Sequence, residues 1–191
     1  MAADGLRVLI EGNRRFVDGD MLVHSVSPAM RIQHLQVQEP IAVVLGCVDS
    51  RVPPEVVLDQ GVGDILTVRT AGQALSGVAL GSLEFGVRAL GVPLMVVLGH
   101  TNCGAVLAAI EGENITGYLG ELIGEVAVRL VDLVGDDPVK ATGGNLQATV
   151  DTLRALGSLE YEGHDAYVVG VLYDMASGKI TVEDDAGLLS D

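Results

Sequence analysis

The chain has 191 residues, 49% of them hydrophobic and 19% charged, so it is long and apolar enough to fold around a sizeable core, and disorder is excluded. Its formal net charge of -15, from 26 acidic residues against 11 Lys plus Arg, excludes a phosphate-neutralising nucleic-acid surface and an anionic membrane face. No apolar run approaches the roughly 20 residues that cross a bilayer, and Met1 to Gly12 lacks the basic-then-apolar pattern of a signal peptide. The expectation is a single domain over 1–191 with a helical arm over about 1–40, in the cytoplasm. A reducing compartment suits the two cysteines better than a structural disulfide does.

In chain order, Leu6, Leu9, Ile10, Phe16 and Val17 make a helical stripe over 5–18, weakened by Gly12. Residues 19–40 are polar and irregular, with a possible helix from Ala29 to Gln38. Ile41 to Gly46 reads as the first strand. Pro53-Pro54 opens a short helix over Glu55 to Gln60. Gly61 to Asp64 is a turn, and Ile65 to Arg69 is the second strand. A helix rich in small residues runs from Ser76 to Leu90, and a third strand covers Leu94 to Leu98. Helices are expected over Thr101 to Ile110, Glu121 to Val134 and Asp137 to Leu156. Tyr167 to Tyr173 is the fourth strand and Lys179 to Val182 a short fifth.

Strands alternating with helices imply an α/β protein, a mostly parallel sheet covered by helices. The first and third strands are unbroken apolar runs, as doubly covered central strands are. Each ends on soft metal-ligand chemistry: Gly46-Cys47-Val48-Asp49-Ser50-Arg51 after the first, His100-Thr101-Asn102-Cys103 after the third. If these strands are neighbours, their carboxyl ends meet at a topological switch point, where open α/β sheets bind ligands. Cys47, His100 and Cys103 then offer three protein ligands to zinc and leave a fourth position open, as a catalytic site does. Asp49 stands close enough in sequence to fill or guard that position. Alone, each cysteine reads as an ordinary buried residue. Asp49 and Arg51 alone read as a surface ion pair worth ~0–1 kcal/mol. Beside a metal they become a carboxylate held ionised by a bidentate guanidinium.

Together, Cys47-Val48-Asp49-Ser50-Arg51 and His100-Thr101-Asn102-Cys103-Gly104 resemble the signatures of the β-class carbonic anhydrases. The resemblance runs from about Gly12 to Val182 and includes Asp59 to Asp64, Val68 to Gly72 and Gly81 to Phe85. It implies a zinc ion on Cys47, His100 and Cys103, an Asp49–Arg51 dyad, and reversible hydration of carbon dioxide to bicarbonate through zinc hydroxide. It further implies that Gln38 and the Gly104 amide meet substrate, and that Leu66, Ala71 and Phe85 line the carbon dioxide pocket, partly from a second subunit. The implied sheet order is 2-1-3-4 with a fifth strand at the edge, and the implied assembly a homodimer, paired into a tetramer in some members. Asp49 is the fourth ligand in the closed state that some members adopt. The chain departs from the family at Gln73, where Asn is common. It also has Val44 where regulated members have Trp, so their bicarbonate pocket is not expected, although Gly46 matches them.

Two rivals share these residues: a carbonyl sulfide or carbon disulfide hydrolase on the same site, and a non-catalytic zinc-stabilised binding or sensing module. His24, His34, His164 and Tyr118 are unassigned candidates for carrying protons to buffer.

Overall fold

The computed structural model describes residues 1–22, 24, 27, 29, 32, 35–112, 114–133, 137–157, 159–161 and 164–189. Helix α1 (Ala2–Asp18) comes first, followed by β1 (Ala42–Gly46), α2 (Pro54–Val57) and β2 (Ile65–Arg69). A 3-10 turn (Ala71–Gln73) leads to α3 (Gly77–Glu84), which runs on into a wide π turn (Phe85–Ala89). Then come β3 (Leu94–His100), α4 (Gly104–Glu111), α5 (Gly117–Val128) and α6 (Pro138–Ala155). A two-residue hairpin, β4 (Glu160–Tyr161) with β5 (His164–Asp165), precedes β6 (Tyr167–Tyr173) and β7 (Ile180–Asp184).

The main sheet has the order β2-β1-β3-β6-β7, parallel except for the edge strand β7. This is the order expected from the sequence. Side chains alternate across it, as strand geometry requires. Ala42, Val44, Leu94, Val96 and Leu98 face Leu6 and Leu9 of α1. Val43, Leu45, Met95 and Val97 face Leu83 of α3 and Leu146, Val150 and Leu153 of α6. Every residue of β1 and β3 is buried. A third apolar cluster caps the carboxyl ends of the strands and joins Cys47 and Cys103 to Val106, Ile110, Ile123, Val126 and Leu130.

Gly12, which weakens α1 as a helix, is what lets α1 dock. A Cβ there would lie 1.9 Å from the Leu58 carbonyl oxygen. Asn13 exploits the close approach: its amide donates to the carbonyls of Val57 and Gly178, both at 2.9 Å, and its oxygen accepts from the Ile180 amide at 2.9 Å. Below it, Arg15 pairs with the fully buried Asp59 carboxylate at 2.5 Å.

The structure moves several boundaries. The expected Thr101–Ile110 helix begins at Gly104, because Asn102 takes a left-handed φ of 56° that no helix accommodates. The helix expected from Glu121 begins at Gly117. That from Ser76 begins at Gly77, with the Ser76 hydroxyl capping it through the Ala79 amide at 3.2 Å. The β4–β5 hairpin was not expected. Of the possible Ala29–Gln38 helix, residues 30, 31, 33 and 34, including His34, lie outside the described residues.

Gly12→Ala should destabilise the chain by about 1–3 kcal/mol in a denaturant melt, the usual cost of overpacking; an unchanged midpoint would contradict the docking account. Farther along the edge strand β7, both Arg154 Nη atoms bind the Asp184 carboxylate, at 2.6 and 2.8 Å. Those bonds hold the Asp184 carboxyl well below its ordinary range. A depressed folded pKa means the stabilisation is present above the unfolded value and lost as pH falls. Asp184→Asn should therefore cost ~1 kcal/mol near neutral pH, and its deficit against wild type should close below about pH 4. A deficit constant with pH would assign the loss to something other than the ion pair.

Candidate metal centre

β1 and β3 are adjacent and parallel, with Gly46 opposite Leu98. Cys47 is the first residue past β1, and His100 is the last of β3. β1 connects onward to β2 on one side while β3 lies on the other, so the two strand ends open the switch-point crevice of the sheet. Thr101 anchors the next loop: its amide donates to the Tyr173 carbonyl at 2.9 Å, and its hydroxyl donates to Asp174 at 3.2 Å and accepts from the Met175 amide at 3.0 Å. The left-handed Asn102 then reverses the chain and sets Cys103 at the amino end of α4.

The structure thus brings Cys47, His100 and Cys103 together, all buried, with their three donor atoms within 4.8 Å of one another. The sulfurs are 3.9 Å apart. That is far beyond the ~2.05 Å of a disulfide. It matches the roughly 3.8 Å between two thiolates that each lie ~2.3 Å from one tetrahedral ion. His100 Nδ1 meets the Thr101 carbonyl oxygen at 2.9 Å. A carbonyl cannot donate, so Nδ1 carries the proton and Nε2 presents its lone pair. Nε2 is buried and has no hydrogen-bond partner among the described residues. Such an orphan costs about 1–3 kcal/mol, and a borderline-soft divalent ion relieves it.

The electrostatics agree with the donor set. The Cys47 thiol is pushed down, chiefly by its contact with the Cys103 thiol; burial opposes the shift, and the nearness of the His100 ring and the Gly72 amide supports it. Cys103 is pushed up by the same contact and by burial. Burial works to lower the His100 pKa, but the neighbouring Cys47 sulfur and the bond to the Thr101 carbonyl outweigh it, and the net shift is upward.

Three polar features frame the cluster. Asp49 is gripped by Arg51 through Nε at 2.9 Å, Nη2 at 2.7 Å and the Arg51 amide at 2.9 Å. Those bonds hold its carboxyl far below the carboxylate range. Asp49 does not join the three-donor group. Arg69 donates from Nε to the Cys47 carbonyl at 2.8 Å and from Nη2 to the Asp49 carbonyl at 2.7 Å, so it fixes the backbone of the Cys47–Asp49 loop. The Gly72 amide points at Cys47 Sγ from 3.4 Å. The turn that aims it is left-handed at both Gly72 (φ 59°) and Gln73 (φ 55°). For a glutamine that conformation costs roughly 1–3 kcal/mol and must be held by its surroundings.

The remaining sequence candidates are dispersed. Gln38 is exposed, and Gly104 opens α4 with no atom within 4 Å of where a Cβ would stand. Leu66 and the half-exposed Phe85 share a groove with Thr67, Val78, Gly81 and Ser82 along the outer edge of β2, and Ala71 is not part of its lining. His24 binds Asp59 at 2.8 Å, and Tyr118 is exposed. The His164 side chain lies outside the described residues, as does His34. A cavity lined by Val92, Pro93, Tyr167 and Leu188 lies at the amino ends of the strands, away from this chemistry. Arg69 and Gly72 lie within the family resemblance and Gln73 departs from it, but sequence reasoning assigned none of the three a role at the site. A cation at the end of an otherwise apolar strand was the available signal for Arg69.

A family model described as carbonic anhydrase matches residues 42–180. The chain is 37% identical over 193 residues to a carbonic anhydrase of Mycolicibacterium smegmatis, covering 95% of this chain and 93% of that one. It is 38% identical over 192 residues to carbonic anhydrase 2 of Mycobacterium tuberculosis, covering 95% and 92%. Among solved structures, a tetrameric β-carbonic anhydrase from Sordaria macrospora superposes with a TM-score of 0.73 at 22% identity, covering 82% of this chain and 87% of that one. With the sheet order and the Cys-His-Cys cluster, these matches place the chain in the β-class carbonic anhydrase family, a family of metal-dependent enzymes.

Purified protein should carry one divalent metal ion per chain by elemental analysis. Cys47→Ser, His100→Ala and Cys103→Ser should each fall well below that ratio; full loading of any of the three would remove that residue from the site.

Proposed function

We propose that this chain holds one zinc ion on Cys47, His100 and Cys103 and catalyses reversible hydration of carbon dioxide to bicarbonate and a proton. The observation that carries the reading is the buried His100 Nε2, without a hydrogen-bond partner among the described residues, beside two thiols 3.9 Å apart. Bound there, zinc supplies a Lewis acid that activates water at neutral pH. The chain's own residues supply the rest. Arg51 keeps Asp49 ionised and turned to one orientation. Each carboxylate oxygen still has a lone pair, so Asp49 accepts a hydrogen bond from the attacking water and orients it. Should the Arg51 grip open, Asp49 would be free to close the site as a fourth ligand. Gln38 and the Gly104 amide bind substrate oxygen. Leu66, Ala71 and Phe85 form the apolar wall that takes in carbon dioxide and sheds water. Because Leu66 and Phe85 face outward along β2, a second copy brings these side chains to the site, and the working unit is a homodimer, itself able to pair into a tetramer. Two unpaired buried cysteines suit a reducing, cytoplasmic setting.

Stopped-flow hydration of carbon dioxide on metal-quantified protein tests the reading. Activity should scale with zinc content, and Asp49→Ala should keep its zinc while losing about 10²-fold in turnover. Fully loaded protein that releases hydrogen sulfide from carbonyl sulfide but hydrates no carbon dioxide would move the reaction to the sulfur analogue. Protein silent on both would be a binding module.

A further inference from the structure

We propose that Arg129 is a positioning residue for the Cys47 ligand, acting through the Gly72–Gln73 turn. This rests on the zinc reading above and extends it to a part of the chain with no place in the site so far. Arg129 follows α5, on the far side of the turn from Cys47. Its side chain is 8% exposed, whereas the ion-paired Arg15, Arg154 and Arg51 keep 29%, 34% and 59%. A guanidinium is buried at a cost that one carboxylate does not reliably repay. Its carboxylate partner, Glu125, uses only Oε1 for the pair and leaves Oε2 buried without a partner among the described residues. Stability alone does not explain this arrangement.

The other donors of Arg129 do explain it, because they converge on one turn. Nη2 reaches the carbonyls of Gly72 at 3.2 Å and Gln73 at 3.5 Å, and Nε reaches Asn145 Oδ1 at 3.2 Å. The buried Asn145 turns its own amide to the Gly72 carbonyl at 3.1 Å and to Gln73 Oε1 at 3.2 Å. Gln73 completes the set by donating to the Leu98 carbonyl of β3 at 3.0 Å, two residues before His100. The turn so gripped is left-handed at two successive residues, and it presents the Gly72 amide to Cys47 Sγ at 3.4 Å. A Cβ on Gly72 would press on Ala105 at 3.0 Å and Val126 at 3.1 Å, so the amide can approach the sulfur only on a glycine held this way. Arg129 and Asn145 hold the Gly72 carbonyl, the held turn aims the Gly72 amide, and the amide orients the sulfur and neutralises part of its charge. Without the fork, the turn relaxes toward ordinary backbone and withdraws its N–H from the ligand.

The test measures zinc dissociation constants by competition with a chromophoric chelator, and the thiolate-to-metal charge-transfer bands of the cobalt(II)-loaded protein. The variant Arg129→Met with Glu125→Gln removes the pair without stranding a charge. Its zinc dissociation constant should rise about 10–100-fold, the usual effect of losing a partner behind a metal ligand, with a changed charge-transfer band. Arg129→Lys keeps the charge and tests the fork should the double variant not fold. It should weaken zinc in the same direction, because an ammonium cannot reach Gly72, Gln73 and Asn145 together. Asp184→Asn, a destabilised control remote from the site, should leave both readouts at wild-type values. Wild-type affinity and spectrum in the folded Arg129 variants would overturn the inference, as would equal weakening in the control. A wild-type chain that takes up no zinc would instead sink the metal reading, and this inference with it.

Discussion

The parallel pairing of β1 with β3 is the constraint on which everything at the site depends. Both strands are buried on both faces, so their apolar side chains divide between two cores and leave no freedom of register. A slip of one residue would exchange the faces of every side chain, His100 included. In the observed register Gly46 lies opposite Leu98, and the chain leaves both strands at the same end of the sheet. The three donor residues meet because the core allows the strands only one alignment. The geometry of the cluster is in this sense an outcome of hydrophobic packing elsewhere.

Around that meeting point the protein spends cations on backbone and carboxylate rather than on surface pairing. Arg51 holds Asp49, and Arg69 holds the carbonyls of Cys47 and Asp49. Arg129 holds the turn above the sulfur. In a chain of formal charge -15 these guanidiniums stand out. Each offers several donors in a rigid plane, which suits fixing oxygen atoms at set angles better than a lysine would. The strongly negative overall balance speaks to solubility and association and leaves the local chemistry to these few contacts.

The sequence made the sheet legible because central parallel strands are unbroken apolar runs, and β1, β2, β3 and β6 stand within two residues of where those runs predict them. The strand order itself came from resemblance to a family, since periodicity does not say which strands are neighbours. Helix starts were less legible. Asn102 takes a left-handed conformation that delays α4; asparagine tolerates that conformation better than most side chains but does not dictate it. The hairpin of β4 and β5 has two residues per strand, too few for a pattern. Gly12 reads as a flaw in α1 until the Leu58 carbonyl is seen against it. The three donor residues were visible as two short motifs, whereas Arg129 was not. Its charge interrupts the apolar stripe of Ile123, Val126 and Leu130, but its target is 57 residues away and belongs to a turn. Contacts to backbone carbonyls carry no signature in side-chain chemistry.

The central claim is that Cys47, His100 and Cys103 alone hold the metal and leave one position to solvent. X-ray absorption at the zinc edge of the loaded protein tests it most directly, because it counts and types the nearest atoms. The account predicts two sulfurs at about 2.3 Å, one imidazole nitrogen near 2.0–2.1 Å and one further light atom that a small anion displaces. A shell with fewer than two sulfurs, or without imidazole, would contradict it.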